Sequence, residues 1–200
     1  MWTAAILAGG LARRLGGRDK STLRVGGDTI LDRQLAVLRT LTPHILIVGG
    51  HGPESAEMDV HVVLDRIAGA GALGGLYTAL VEAPTEQVLV IACDMPFVSA
   101  EFLAELARRG AGVEAAVPRD ARGRHPLCAS YQRRIAARVK KRIDKGALRI
   151  ADALGDLDVL DIGPDELTPF DPDGRLLLNV NTPADYEQAL LVIGDKPPAA

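Results

Sequence analysis

Cysteine is nearly absent from the chain: Cys93 and Cys128 are the only two in 200 residues, and neither belongs to a C-x-x-C pair. This excludes a disulfide framework and a zinc site built on paired thiolates. Each thiol sits in an apolar run, where a reduced core cysteine is expected. Aromatic residues are also scarce, at 4%. The core must therefore be assembled from Leu, Val, Ile and Ala, a composition suited to buried parallel strands covered by helices. Neither sign of charge is in excess, since 23 Lys and Arg against 26 Asp and Glu leave a net −3. A global attraction to nucleic acid or to an acidic membrane surface is excluded, and basic chemistry must be local. The opening MWTAAILAGGLARRLGG has no basic region ahead of its short apolar stretch, and glycines and arginines follow at once. Neither a signal peptide nor a membrane span is expected there, and the default localisation is cytoplasmic.

What the chain does have is apolar material for a full core, 48% of its residues, which argues against disorder. Its length fits one domain, expected over residues 1–195 with a frayed tail at 196–200. Thr3–Ala8, His44–Val48, Val60–Leu64 and Val88–Cys93 read as strands. Thr29–Leu41, Leu73–Ala83 and Ser99–Arg109 read as helices, with Ser99 as N-cap. Val113–Pro118 and Pro126–Tyr131 are expected as strands flanking a polar turn, Arg119–Arg124, that lids the site. Further on come helices at Arg133–Lys145 and Ala147–Leu154 and strands at Val159–Ile162 and Leu176–Val180. The last helix is expected at Thr182–Ile193, opened by Thr182, Pro183 and a capping-box Asp185. Strand–helix alternation in the first half predicts a three-layer α/β domain with a mostly parallel central sheet.

In open α/β sheets ligands collect at the carboxyl ends of the strands. Four clusters occupy such positions. Leu7–Lys20, LAGGLARRLGGRDK, interleaves Gly9, Gly10, Gly16 and Gly17 with Arg13, Arg14, Arg18 and Lys20. Glycines let backbone N–H groups approach phosphate oxygens, arginines clamp them with a planar fork, and lysine adds a compact charge. A polyphosphate is the simplest ligand for such a loop. It is neither the P-loop pattern nor G-x-G-x-x-G, and Val48-Gly49 stand where a dinucleotide fold places an acid. In VLVIACDMP, Asp94 follows the most apolar run and is the expected Mg²⁺ ligand, because Mg²⁺ takes one or two carboxylates plus substrate phosphates. Asp65 ends the Val60–Leu64 strand in the same way. In LNVNTPADY, Asn179 and Asn181 precede a helix N-terminus, where amides hold a metal-bound phosphate or water or serve as local caps.

Three further signals read as structural. The basic run Arg133–Arg149 carries an apolar stripe of Ile135, Val139 and Ile143, which predicts a solvated amphipathic helix. Asp171-Pro172-Asp173-Gly174 is a turn. His125 and Ser130 form no recognisable triad with a placed acid.

At Leu7–Lys20 the chain resembles the MobA-type molybdenum cofactor guanylyltransferases, whose signature L-A-G-G-x-x-x-R-x-G-G-x-D-K is matched by Leu7, Ala8, Gly9, Gly10, Arg14, Gly16, Gly17, Asp19 and Lys20. The resemblance continues through Arg24–Leu31, Leu73-Gly74-Gly75-Leu76, Cys93-Asp94-Met95-Pro96, Arg124-His125-Pro126-Leu127 and Asn179-Val180-Asn181-Thr182-Pro183, in order across nearly the whole chain. It implies a Rossmann-like nucleotidyltransferase that joins GMP from GTP to molybdopterin bearing its metal, releasing pyrophosphate. Leu7, Ala8, Gly9 and Gly10 would hold the nucleotide, Lys20 its phosphates, Asp65 the nucleotide and Asp94 the Mg²⁺, with Asn181 beside it. Arg14 and Lys20 would neutralise the departing pyrophosphate. Relatives that transfer cytidylate tend to read L-A-A-G, so Gly9 favours guanine, whereas Val48 replaces an asparagine that touches the nucleotide in some members. The alternatives are a cytidylyltransferase, a sugar-phosphate nucleotidyltransferase and a non-catalytic nucleotide-binding protein. The resemblance implies a molybdopterin-type acceptor, and leaves room for transient contact with molybdoenzymes or cofactor chaperones.

Overall fold

The computed structural model describes residues 1–8, 23–49 and 60–194. Within them run β1 (Thr3–Leu7), β2 (Arg24–Val25), β3 (Asp28–Thr29), α1 (Ile30–Arg39), β4 (Ile45–Val48), β5 (Val60–Val63), α2 (Gly71–Glu82) and β6 (Gln87–Ala92). The second half contributes α3 (Ala100–Gly110), β7 (Ala115–Asp120), β8 (Gly123–Arg124), β9 (Cys128–Gln132), α4 (Ala136–Asp144), α5 (Ile150–Ala153), β10 (Val159–Ile162), α6 (Pro164–Leu167) and α7 (Pro183–Val192).

The main sheet has the order β10-β7-β9-β6-β1-β4-β5, with β8 paired to β7. β1 is parallel to β4 and β6, β4 to β5, and β7 to β10. β9 is antiparallel to both β6 and β7, which leaves those two parallel to each other. Six strands therefore end on one edge of the sheet, and β9 starts there.

Side chains alternate across each strand, and the two faces bury different partners. Ala4, Ile6, Ile45, Ile47, Leu89 and Ile91 pack beneath Leu31, Leu35 and Leu38 of α1 and Phe102, Leu103 and Leu106 of α3. Ala5, Leu7, Leu46, Val48, Val88 and Val90 face Leu73, Leu76 and Leu80 of α2 and Val139 and Ile143 of α4. The expected three layers are present. The helix starts follow the expected chemistry: Thr29, Ser99 and Thr182 each accept a hydrogen bond from a backbone N–H three residues on.

Three expectations are corrected. Leu176–Val180 is not a strand: Leu176, Leu177, Leu178 and Val180 are buried, but their backbone turns across the sheet edge instead of joining a ladder. The helix expected over Arg133–Lys145 begins with a 3-10 turn at Arg133–Ile135, and the one over Ala147–Leu154 shrinks to α5 followed by another such turn. The β2–β3 hairpin was not anticipated. Gly26 and Gly27 both have positive φ there, as a two-residue hairpin turn demands. The tail at 196–200 lies outside the described residues. Among those residues no helix is long and apolar enough to cross a membrane.

Candidate active site

The site is built where β1 and β6 end together. Leu7 pairs with Ala92, the Cys93 amide donates to the Leu7 carbonyl at 3.2 Å, and the Ala8 amide donates to Val48 at 2.9 Å. Leu7 and Ala8 are thus fixed on the strand end from which the glycine-rich segment departs. Gly9, Gly10, Arg14 and Lys20 lie outside the described residues. The chain is described again at Leu23, which packs with Val25 and Ile30 against Leu178 and Val180. The Val180 amide donates to the Asp94 carbonyl at 2.8 Å. Both ends of segment 9–22 are therefore anchored beside the turn that carries Asp94.

Asp94 itself is buried, with 7% of its surface exposed. Its turn is held from beneath by Gln34 of α1, fully buried, whose Nε2 donates to the carbonyls of Ala92 at 2.7 Å and Met95 at 3.0 Å. Arg33, one residue earlier, donates to the carbonyls of Pro96 and Val25, tying the turn to the β2–β3 hairpin. Sequence reasoning missed both. The available signal was a glutamine set among the apolar positions Leu31, Leu35 and Leu38, where a polar group needs a partner.

Asn179 sits one residue before Val180, and its Oδ1 is buried with no hydrogen bond within the described residues. A buried acceptor of this kind is costly unless something donates to it or coordinates it. With the Asp94 carboxylate it supplies hard oxygen donors on the same side of the sheet, the ligand type Mg²⁺ prefers. The described residues contain no group of three or more His, Cys, Asp or Glu able to hold a metal. Two oxygen donors fit a cation that takes its remaining ligands from substrate and water. Asn181 is exposed, and its amide donates to Asp185 in the α7 capping box at 2.9 Å. Asp65 lies beyond the end of β5, three strands from Asp94. It is exposed, and partial burial of its carboxyl pushes its pKa above the ordinary value.

On the other flank, the Arg119–Arg124 turn is a short hairpin, with β7 extended to Asp120 and β8 returning along it. An acid is in fact placed on His125: its Nε2 lies 3.0 Å from Asp120 Oδ1. Ser130 is remote from both, buried in β9 and hydrogen-bonded to Gln87. Arg122 forks onto Asp120 and reaches the Leu177 carbonyl. Arg124 pairs through two hydrogen bonds with Asp161 of β10. Burial works to raise the Asp120 carboxyl, but hydrogen bonds from Arg122 and His125 outweigh it and hold its pKa down at about 2.

A cavity of about 970 Å³, lined by Arg39, Thr42, His44, Val60, His61 and Glu82 among others, opens at the opposite edge, where β4 and β5 begin. None of the site residues among the described ones lines it.

Comparison with known proteins bears on this geometry. The MobA-like NTP transferase domain matches residues 4–157. A probable molybdenum cofactor guanylyltransferase from Chloroflexus aggregans is 33% identical, covering 97% of this chain and 96% of the relative. One from Pelotomaculum thermopropionicum is 32% identical, covering 94% and 91%. The crystal structure of molybdopterin-guanine dinucleotide biosynthesis protein A from Archaeoglobus fulgidus superposes with a TM-score of 0.82 at 28% identity, covering 96% of this chain and 98% of that one. With a match over most of its length and the same strand-end architecture, the chain belongs to the MobA-like NTP transferase family and is a nucleotidyltransferase.

Proposed function

We propose that this protein transfers GMP from GTP to the terminal phosphate of molybdenum-bearing molybdopterin, forming the guanine dinucleotide and releasing pyrophosphate. The carrying observation is convergence at one sheet edge. Leu7–Ala8, both anchors of segment 9–22, buried Asp94 and buried Asn179 Oδ1 meet where β1 and β6 end. The full-length relatives named as guanylyltransferases support the choice of base and acceptor.

In the step, an oxygen of the acceptor's terminal phosphate forms a bond to the α-phosphorus of GTP. The bond from that phosphorus to the bridging oxygen breaks, and pyrophosphate leaves with the electron pair. The acceptor oxygen is already ionised, so no base and no covalent enzyme intermediate are needed, and catalysis is positioning plus charge stabilisation. Gly9 and Gly10 offer backbone N–H groups to the nucleotide, and Arg14 and Lys20 offset the charge that builds on pyrophosphate. Asp65, on the β5 flank, orients the nucleoside. Asp94 and Asn179 would hold Mg²⁺, with Asn181 next to them. When bound, the ion supplies Lewis-acid neutralisation of the phosphate oxygens.

Calorimetric titration with GTP, CTP, UTP and ATP in Mg²⁺, paired with pyrophosphate release in the presence of acceptor, tests the proposal. GTP is expected to bind most tightly and to be the substrate consumed. Preference for CTP would move the chain to the cytidylyltransferases, and tight GTP binding without pyrophosphate release would make it a sensor. Lys20→Ala is expected to keep the fold and lose turnover.

A further inference from the structure

We infer that His125, set by Asp120, is the group that binds the terminal phosphate monoester of the acceptor, and that the acceptor therefore lies on the β7–β9–β10 flank of Asp94. The inference rests on the transferase reading above and adds to it a residue and a direction.

Register places the residue. β6 and β9 are antiparallel, with Ile91 opposite Cys128 as the last rung, and one further hydrogen bond joins the Ala92 amide to the Leu127 carbonyl at 2.7 Å. Asp94 and His125 each stand two residues beyond that bond. Both therefore lie just past the same end of the β6–β9 ladder, at the mouth of the sheet. β1, whose end carries Leu7 and Ala8, and Asp65 past β5 are on one side of β6. The hairpin is on the other. An in-line reaction at the α-phosphorus needs nucleophile and leaving group on opposite sides, so with the nucleotide held from the β1 side the acceptor phosphate stands on the hairpin flank.

The chemistry of the pair fits that role. The His125 side chain is 14% exposed. Its Nε2 is buried and lies 3.0 Å from Asp120 Oδ1. The nitrogen left for a ligand is Nδ1. A phosphate monoester offers three terminal oxygens and up to two negative charges to an imidazole nitrogen. A phosphate diester offers two such oxygens and one charge. The pair thus favours a terminal monoester, the functional group that reacts, over the diester that the product contains.

The surroundings make the hairpin a fixed support. Asp120 is claimed by Arg122 through two side-chain contacts and one backbone contact. Arg122 continues to Leu177, ahead of Asn179. Arg124 and Asp161 pin β8 to β10. The His125 amide donates to Pro118, and its carbonyl accepts from Cys128.

The test compares wild-type protein with His125→Ala, His125→Gln and Asp120→Asn. Affinity for the phosphorylated pterin acceptor is read from pterin fluorescence without nucleotide, and affinity for GTP with Mg²⁺ by calorimetry. Loss of one charge-assisted hydrogen bond predicts acceptor binding weakened by about 10- to 100-fold in both His125 variants. GTP affinity should be unchanged, and the dephosphorylated pterin should bind wild type and variants equally. Asp120→Asn should weaken acceptor binding less, because the ring remains but loses its support. Equal acceptor affinity in wild type and both His125 variants overturns the inference. So does a parallel loss of GTP binding, which would mark the residue as structural, and so does wild-type protein that binds GTP but no phosphorylated pterin. A wild-type protein that binds both ligands and releases no pyrophosphate defeats the transferase reading alone; the His125 assignment is then decided by the affinities.

Discussion

Placing a carboxylate such as Asp94 where 7% of its surface is exposed costs free energy unless a charge or donor offsets it. In the proposed enzyme that offset includes Mg²⁺ shared with phosphate oxygens. Asp94→Asn keeps the shape and removes the charge, so the fold should survive, and the expected loss is about 10²–10³ in turnover, or roughly 3–4 kcal/mol of barrier. Pyrophosphate release checks this, with circular dichroism reporting the fold, and wild-type-like turnover would take Asp94 out of the mechanism. The position of Asp94 was legible in sequence because an apolar run rich in Val and Ile stops at an acid followed by Met-Pro. The groups that set it were not. Gln34 and Arg33 act through tertiary hydrogen bonds across about sixty residues of chain, and no local pattern reports such a partner.

Elements were legible where periodicity and capping agree. α1, α3 and α7 start one residue after Thr29, Ser99 and Thr182, each an N-cap that accepts from the chain. Thr182→Ala would remove the side-chain half of the α7 capping box and should cost about 1 kcal/mol. Equilibrium denaturation, with m unchanged, measures that loss. Close packing of α3 on β9 was not legible. A Cβ on Gly110 would sit 2.2 Å from Ser130 Oγ and 2.6 Å from Ser130 Cβ, while Ser130 is engaged by Gln87. Gly110→Ala is therefore expected to destabilise by about 1–3 kcal/mol through overpacking. At about 2–4 °C per kcal/mol for a chain of this size, calorimetry should see a clear fall in Tm. Leu176–Val180 misled for a definable reason. Four buried apolar residues in five resemble a core strand, but here they cover the sheet edge and their backbone serves Asp94 and Arg122.

For the whole molecule, alternation of strands and helices predicted the three layers and the parallel edge, because each strand must bury both faces and each crossover must return on the same hand. The strand expected at Pro126–Tyr131 is present as β9, but alternation did not reveal its insertion between β6 and β7, antiparallel to both, since a strand's place and polarity among its neighbours are tertiary choices. Carboxylates at the two ends of β7 make stability depend on acid. Glu114, hydrogen-bonded by Arg138 and by the Asp158 amide, and Asp120 are both held at about 2, below their ordinary 4.5 and 3.8. A depressed folded-state pKa contributes stability that is full above the unfolded value and is lost as pH falls through the folded one. Unfolding free energy should therefore decline between those ordinary values and about 2. Replacing both residues by their amides should flatten that decline, and denaturation series at successive pH values would show it.

The most direct measurement is a crystal structure of the protein with GTP and Mg²⁺. The account predicts the triphosphate at the shared ends of β1 and β6, with Lys20 and Arg14 on its phosphates and the metal on Asp94. A triphosphate seated instead in the cavity at the amino edge, beside Arg39, His44 and His61, or a Lys20 turned away from Asp94, would contradict it.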